Sequence, residues 1–176
     1  NYVRCHDDIG LGFDDNDARL AGYDPAAHRR FLVDYFTGRF ASSPARGFPF
    51  GENAETGDAR ISGALASLGG LESALESGDE QAITAAIDTI LLLHSVILSF
   101  GGIPLLYGGD AIGMLNNLEY LADPLRRNDS RWVHRASFDW TKAERRHEKG
   151  TVEQRIFSGL KKLIALRKET PAFADF

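Results

Sequence analysis

Residues 79–107 constrain the fold most. Asp79 is placed to cap a helix running to about Ser99, and Ile83, Ile87, Ile90, Leu91, His94, Val96, Ile97 and Leu98 make that helix so apolar that most of it must be buried. Gly101-Gly102 ends it, and Ile103-Pro104-Leu105-Leu106-Tyr107 follows as a short apolar run between glycines, the pattern of a strand buried on both faces. Helix, glycine pair and buried strand together predict an α/β unit. His94 and Ser95 interrupt the apolar stretch 90–100, which falls short of the roughly 20 residues needed to span a bilayer. The reading is therefore a soluble chain with no membrane partner. At 176 residues and 43% hydrophobic, the chain has enough apolar side chains for a sizeable core.

Other elements follow from local chemistry. Residues 2–5 carry Tyr, Val and Cys and read as a short buried strand, with the polar His6-Asp7-Asp8 at its carboxyl end. Gly, Asp and Asn make residues 9–23 an ordered loop. Asp24-Pro25 is a cap followed by a proline at the first helical position, opening a helix to about Phe36. Residues 38–61 read as a loop whose Phe48 and Phe50 must pack against something, and Leu65, Leu68 and Leu71 as a marginal helix among glycines. Residues 108–150 read as irregular. Thr151 and Gln154 fit a capping box for a final amphipathic helix, which Pro171 ends. There is no internal repeat or low-complexity tract.

Composition removes several function classes. Twenty Lys and Arg against 25 Asp and Glu give a net charge of −5 with no basic run, which disfavours nucleic acid as a partner. The single cysteine, Cys5, excludes an intrachain disulfide and a Cys-built zinc site. It leaves the compartment open, with a bias towards a reducing one such as the cytoplasm. The five histidines show no metal-ligand spacing, and no phosphate-cradling or nucleophile-elbow motif is present, so no metal and no cofactor is expected. The opening Asn1-Tyr2-Val3-Arg4, without an initiator methionine or leader, reads as an internal start. The polar candidates are His6-Asp7-Asp8, Arg60 and Arg131. Each has an ordinary alternative: a polar turn for the first, and solvated or structural arginines for the others.

The run Val3-Arg4-Cys5-His6-Asp7-Asp8-Ile9-Gly10 resembles the seventh-strand motif of the α-amylase superfamily (glycoside hydrolase family thirteen) in its amylosucrase form. Gly22-Tyr23-Asp24, Ala45-Arg46-Gly47-Phe48-Pro49-Phe50, the segments 56–63 and 101–107, and Asp129-Ser130-Arg131-Trp132-Val133-His134-Arg135 resemble amylosucrase segments in the same order. The resemblance implies the C-terminal portion of a (β/α)₈ TIM barrel, mostly α by residue count, plus a largely helical insertion. Residues 1–8 would be strand seven with its catalytic-face motif and 9–77 the insertion. Residues 78–176 would supply helix seven, strand eight, an active-site loop and helix eight.

By the same resemblance the parent is a retaining enzyme that cleaves sucrose and passes the glucosyl group to an α-1,4-glucan with release of fructose. Asp7 would be the transition-state-stabilising carboxylate and His6 would bind glucosyl hydroxyls. Asp8 and Arg60 would line the neighbouring subsite, and Arg131 would close the pocket by pairing with a carboxylate from elsewhere in the barrel. The family's nucleophile and acid/base carboxylates lie on earlier strands, so the rest of the barrel is needed and the chain alone is expected to be inactive. Ala111, after Gly109-Asp110, departs from the usual glutamate. Two alternatives are a sucrose hydrolase of the same family, with water replacing the glucan, and a non-catalytic oligomerising fragment.

Overall fold

The computed structural model describes residues 1–173; the last three residues of the expected segment 78–176 lie outside it. The molecule is about 53% helical. The helices are α1 (Asp15–Leu20), α2 (Pro25–Phe36), α3 (Leu65–Leu68), α4 (Leu71–Ser77), α5 (Glu80–Ser99), α6 (Trp140–Glu144) and α7 (Val152–Glu169). Short 3₁₀ turns punctuate residues 108–147, where the sequence suggested irregular chain. Side-chain caps fix the long helices. Asp24 accepts from the Ala27 amide at 2.7 Å, Asp79 from Gln81 at 2.9 Å and Thr151 from Gln154 at 3.2 Å. The Gln154 side chain reaches back to accept from the Gly150 amide at 3.2 Å, one residue before the usual capping-box partner.

The main core lies where α3, α4, α5 and α7 meet, around Leu65, Leu71, Ile83, Ile87, Ile90, Ile156 and Leu160. Gly159 lets α7 approach α5 closely, because a Cβ there would lie 2.6 Å from Leu91 Cδ1. His94 is buried in this helix with Nδ1 2.8 Å from the Ile90 carbonyl, and burial lowers its pKa. Arg167 closes the carboxyl end of α5, donating to the carbonyls of Leu98, Phe100 and Gly102 at 2.6–2.8 Å. The opposite side of α5 leaves Leu92, Val96 and Phe100 exposed. By length and composition α5 is apolar enough to cross a membrane, with a mean hydropathy of 1.8 over its best window, one third of it buried. The interruptions at His94 and Ser95 do not lower it below that level.

A second, smaller core of Val33, Ala59, Ile61 and Leu68 lies under α2. It is built on a hairpin that the sequence reading took for loop. Strands β1 (Phe48–Phe50) and β2 (Arg60–Ser62) pair antiparallel with Phe48 opposite Ser62 and Phe50 opposite Arg60, and Ile9 joins by an antiparallel bridge to Ile61.

The structure overturns the expected fold class. Among the described residues the only sheet is that two-stranded antiparallel hairpin, neither 2–5 nor 103–107 is a strand, and there is no sign of barrel strands seven and eight with their helices. The two segments do touch: the Asn1 amino group donates to the Ile103 carbonyl at 2.9 Å, and the Leu105 amide donates to the Asn1 carbonyl at 2.8 Å. A parallel pair needs further strands and covered faces to persist. Here Pro104 has no N–H to give, and Tyr2, Ile103 and Leu105 are all exposed. From Gly108 the backbone turns into a 3₁₀ segment instead (Gly108–Ile112).

Candidate functional site

The first eight residues are anchored from beneath. Arg4 is buried and its Nε donates to the Gly63 carbonyl at 3.1 Å, fixing the segment against the end of β2. His134, also buried, joins the same parts from the other side. Its Nδ1 accepts from the Gly63 amide at 3.1 Å, so the ring proton sits on Nε2, which donates to the His6 carbonyl at 3.1 Å. Burial, aided by the Arg4 charge, pushes the His134 pKa down to about 4 and keeps the ring neutral. Arg135 adds a charged clasp, with Nε donating to the same His6 carbonyl at 2.7 Å and Nη2 to Asp7 Oδ1 at 3.4 Å.

Held this way, the backbone presents His6 and Asp7 to solvent. Their side chains are exposed, with Nε2 of His6 3.5 Å from Asp7 Oδ2. The next carboxylate turns inward: the Asp8 side chain is buried and lies 3.2 Å from Arg60 Nε. The adjacent bridge Ile9–Ile61 brings these two residues side by side. The Arg60 guanidinium stands 5.1 Å from the Phe50 ring centre, and that of Arg131 stands 4.5 Å from the same ring. Contact of the Phe50 ring with two cations accounts for part of the packing expected of this aromatic segment. A recess of about 230 Å³ beside Arg60 is lined by Asn53, Thr56 and Asp58.

The structure thus brings His6, Asp7, Asp8, Arg60 and Arg131 to one region. Arg131 has a local carboxylate partner: Asp129 receives Nε at 2.9 Å and Nη2 at 2.8 Å, a bidentate pair two residues away in sequence. The Arg131 hydrogen bonds hold the Asp129 carboxyl below its ordinary pKa, and the same pairing raises that of Arg131. Carboxylates and guanidiniums are therefore interleaved across the region, a mixture of acceptors and donors suited to neutral hydroxyl groups more than to a highly charged ligand.

One donor atom each from Cys5, His6 and Asp7 lies within 4.8 Å of the others. The Asp7 carboxylate of this cluster is also 3.4 Å from Arg135 Nη2.

No local pattern marks Arg4, His134 or Arg135 as functional, and Phe50 is marked only as an aromatic that must pack, although all four lie in segments that carry the resemblance. Their functions depend on partners 59 to 129 residues away for the first three, beyond the reach of any local pattern. No family model matches the chain.

Proposed function

We propose that this chain carries the glucosyl-binding part of a sucrose-acting, retaining glucosyl-transfer site. The reading is carried by one observation: the residues that the amylosucrase resemblance selects, at positions 6, 7, 8, 60 and 131, converge on one region through the Asp8–Arg60 contact and the shared Phe50 ring. His6 and Asp7, presented to solvent, bind hydroxyls of the glucosyl ring. The Asp7 carboxylate strengthens its hydrogen bonds as oxocarbenium charge develops. Arg60 lines the recess offered to the fructosyl or acceptor unit, Asp8 holds the Arg60 side chain, and Arg131 stands against the same Phe50 ring.

In a retaining reaction one carboxylate attacks the anomeric carbon and a second carboxylic acid protonates the departing fructose oxygen. Neither role falls to a residue assigned here, so binding is the property of this chain and cleavage is not. The transferred glucosyl group then goes to an α-glucan, or to water in the hydrolytic version.

Calorimetric titration with sucrose tests the reading. Saturable binding that is lost in Asp7→Asn and Arg60→Ala supports it; binding unaffected by both variants, or none at all, refutes it. A second reading, self-association without catalysis, is favoured by the exposed Leu92, Val96, Phe100 and Ile103, and predicts a dimer or larger species by sedimentation.

A further inference from the structure

A cavity of about 170 Å³ is lined by the anchoring residues Arg4 and His134 and by Asp110, three ionisable side chains that are almost wholly buried. Arg4 and Asp110 are each 4% exposed. Arg4 uses Nε on the Gly63 carbonyl, but its Nη2 has no hydrogen-bond partner; Asp110 likewise leaves Oδ2 without one. Buried polar atoms are nearly always satisfied, so two orphans of opposite character in one cavity wall call for an occupant that serves both.

The other polar groups of the wall are already engaged. Both ring nitrogens of His134 are used, and the Tyr107 hydroxyl donates to the His134 carbonyl at 3.0 Å. The remaining lining is apolar, from Leu65, Met114, Leu115 and Phe138. The space resembles the roughly 150 Å³ cavity that holds one benzene-sized molecule. An occupant therefore has one polar end, which must accept from a guanidinium, and an apolar body of a few carbons.

We propose that this cavity binds a short-chain monocarboxylate, with one oxygen on Arg4, the other on the carboxyl of Asp110, and the alkyl chain against Leu65, Met114, Leu115 and Phe138. Arg4 supplies the charge that an anion needs in a buried site. Burial pushes the Asp110 carboxyl up to about 7 against the opposing pull of Arg4, so on the acid side of neutrality it holds a proton that it can donate to the ligand. The charged and titratable groups facing this pair are Cys5 and Asp8 from the opening segment, Tyr107 from the turn before Asp110, and neutral His134. The proposal is independent of sucrose binding, since it uses neither His6 nor Asp7.

Titration of the full chain with butyrate, followed by amide NMR shifts in carboxylate-free buffer, tests it. At pH 6 the expected result is saturable binding centred on Arg4, Tyr107–Asp110 and Leu115, weakened at least tenfold at pH 8, and absent with 1-butanol. Asp110→Asn keeps the binding and flattens its pH dependence, because the amide donates at any pH; Arg4→Met abolishes it. Should Arg4→Met fail to fold, Leu115→Trp serves in its place, filling the cavity and removing the binding from a folded chain. Absence of saturable butyrate binding at pH 6, equal shifts with 1-butanol, or binding that survives Leu115→Trp overturns the proposal.

Discussion

Arg60 Nε lies 3.2 Å from Asp8 Oδ2, and the two residues each immediately precede a member of the Ile9–Ile61 bridge. The contact ties the opening segment to the hairpin at the candidate sugar site. Because the Arg60 side chain is 58% exposed, the pair is screened by solvent and its loss is mild for folding. Arg60→Ala is expected to lower stability by no more than about 1 kcal/mol in urea denaturation. Under the proposed function its effect is expected on sucrose binding instead, which separates this residue from the buried anchors.

His134 behaves in the opposite way. His134→Ala leaves the buried Gly63 amide without a partner and the His6 carbonyl with Arg135 alone, and a loss of about 1–3 kcal/mol is expected. The pH dependence has a definite sign. The folded pKa is depressed from 6.5 to about 4, so above pH 6.5 folded and unfolded chains both carry neutral imidazole and the stability is complete. As pH falls from 6.5 to about 4 only the unfolded chain gains the proton. This contribution declines by roughly 3 kcal/mol across that window and is flat below it. Urea midpoints of the wild type and His134→Ala between pH 7 and 4 check this, the variant being expected to lack the decline.

Asp110 works on the other side of neutrality. Its folded pKa is raised from 3.8 to about 7, so in the folded chain it keeps a proton that the unfolded chain releases from pH 3.8 upward. Its contribution is full below pH 3.8 and is lost as pH rises through 7, on the order of 4 kcal/mol in all. Asp110→Asn is therefore expected to be more stable than the wild type at pH 8, with the difference disappearing towards pH 4. A variant less stable at pH 8 contradicts the assignment.

The long helices were legible because their signals are local. Asp24-Pro25, Asp79 and the Thr151–Gln154 box are side-chain caps within one turn of the helix they start, and each makes its bond. Residues 103–107 misled because a glycine-bounded apolar run says only that burial is wanted; whether it becomes a strand depends on neighbours, and here the backbone pairing is two hydrogen bonds to the single residue Asn1. The hairpin was hidden by its length, three residues a side with Pro49 in the middle. The candidate site was legible as polar types in loop-like places, through the resemblance. Its assembly by Phe50, His134 and Arg135 was not, since those contacts are set only by the folded chain.

Close packing of α5 on α7 makes a separate expectation at Gly159. Alanine there raises helix propensity by about 1 kcal/mol but places its Cβ 2.6 Å from Leu91 Cδ1. A net loss of roughly 1–2 kcal/mol is expected from the displaced leucine. Leu91→Ala in the same chain removes the clash, so thermal melts of the double variant are expected to show less than the sum of the two single losses.

The measurement that most directly tests the proposed sugar site is an amide NMR titration of the full chain with sucrose. Simultaneous, saturable shifts at His6, Asp7, Asp8, Arg60 and Arg131, with affinity on the order of millimolar and no fructose released into solution, are the predicted result. Shifts confined to other surfaces, or none up to saturating sucrose, contradict the account.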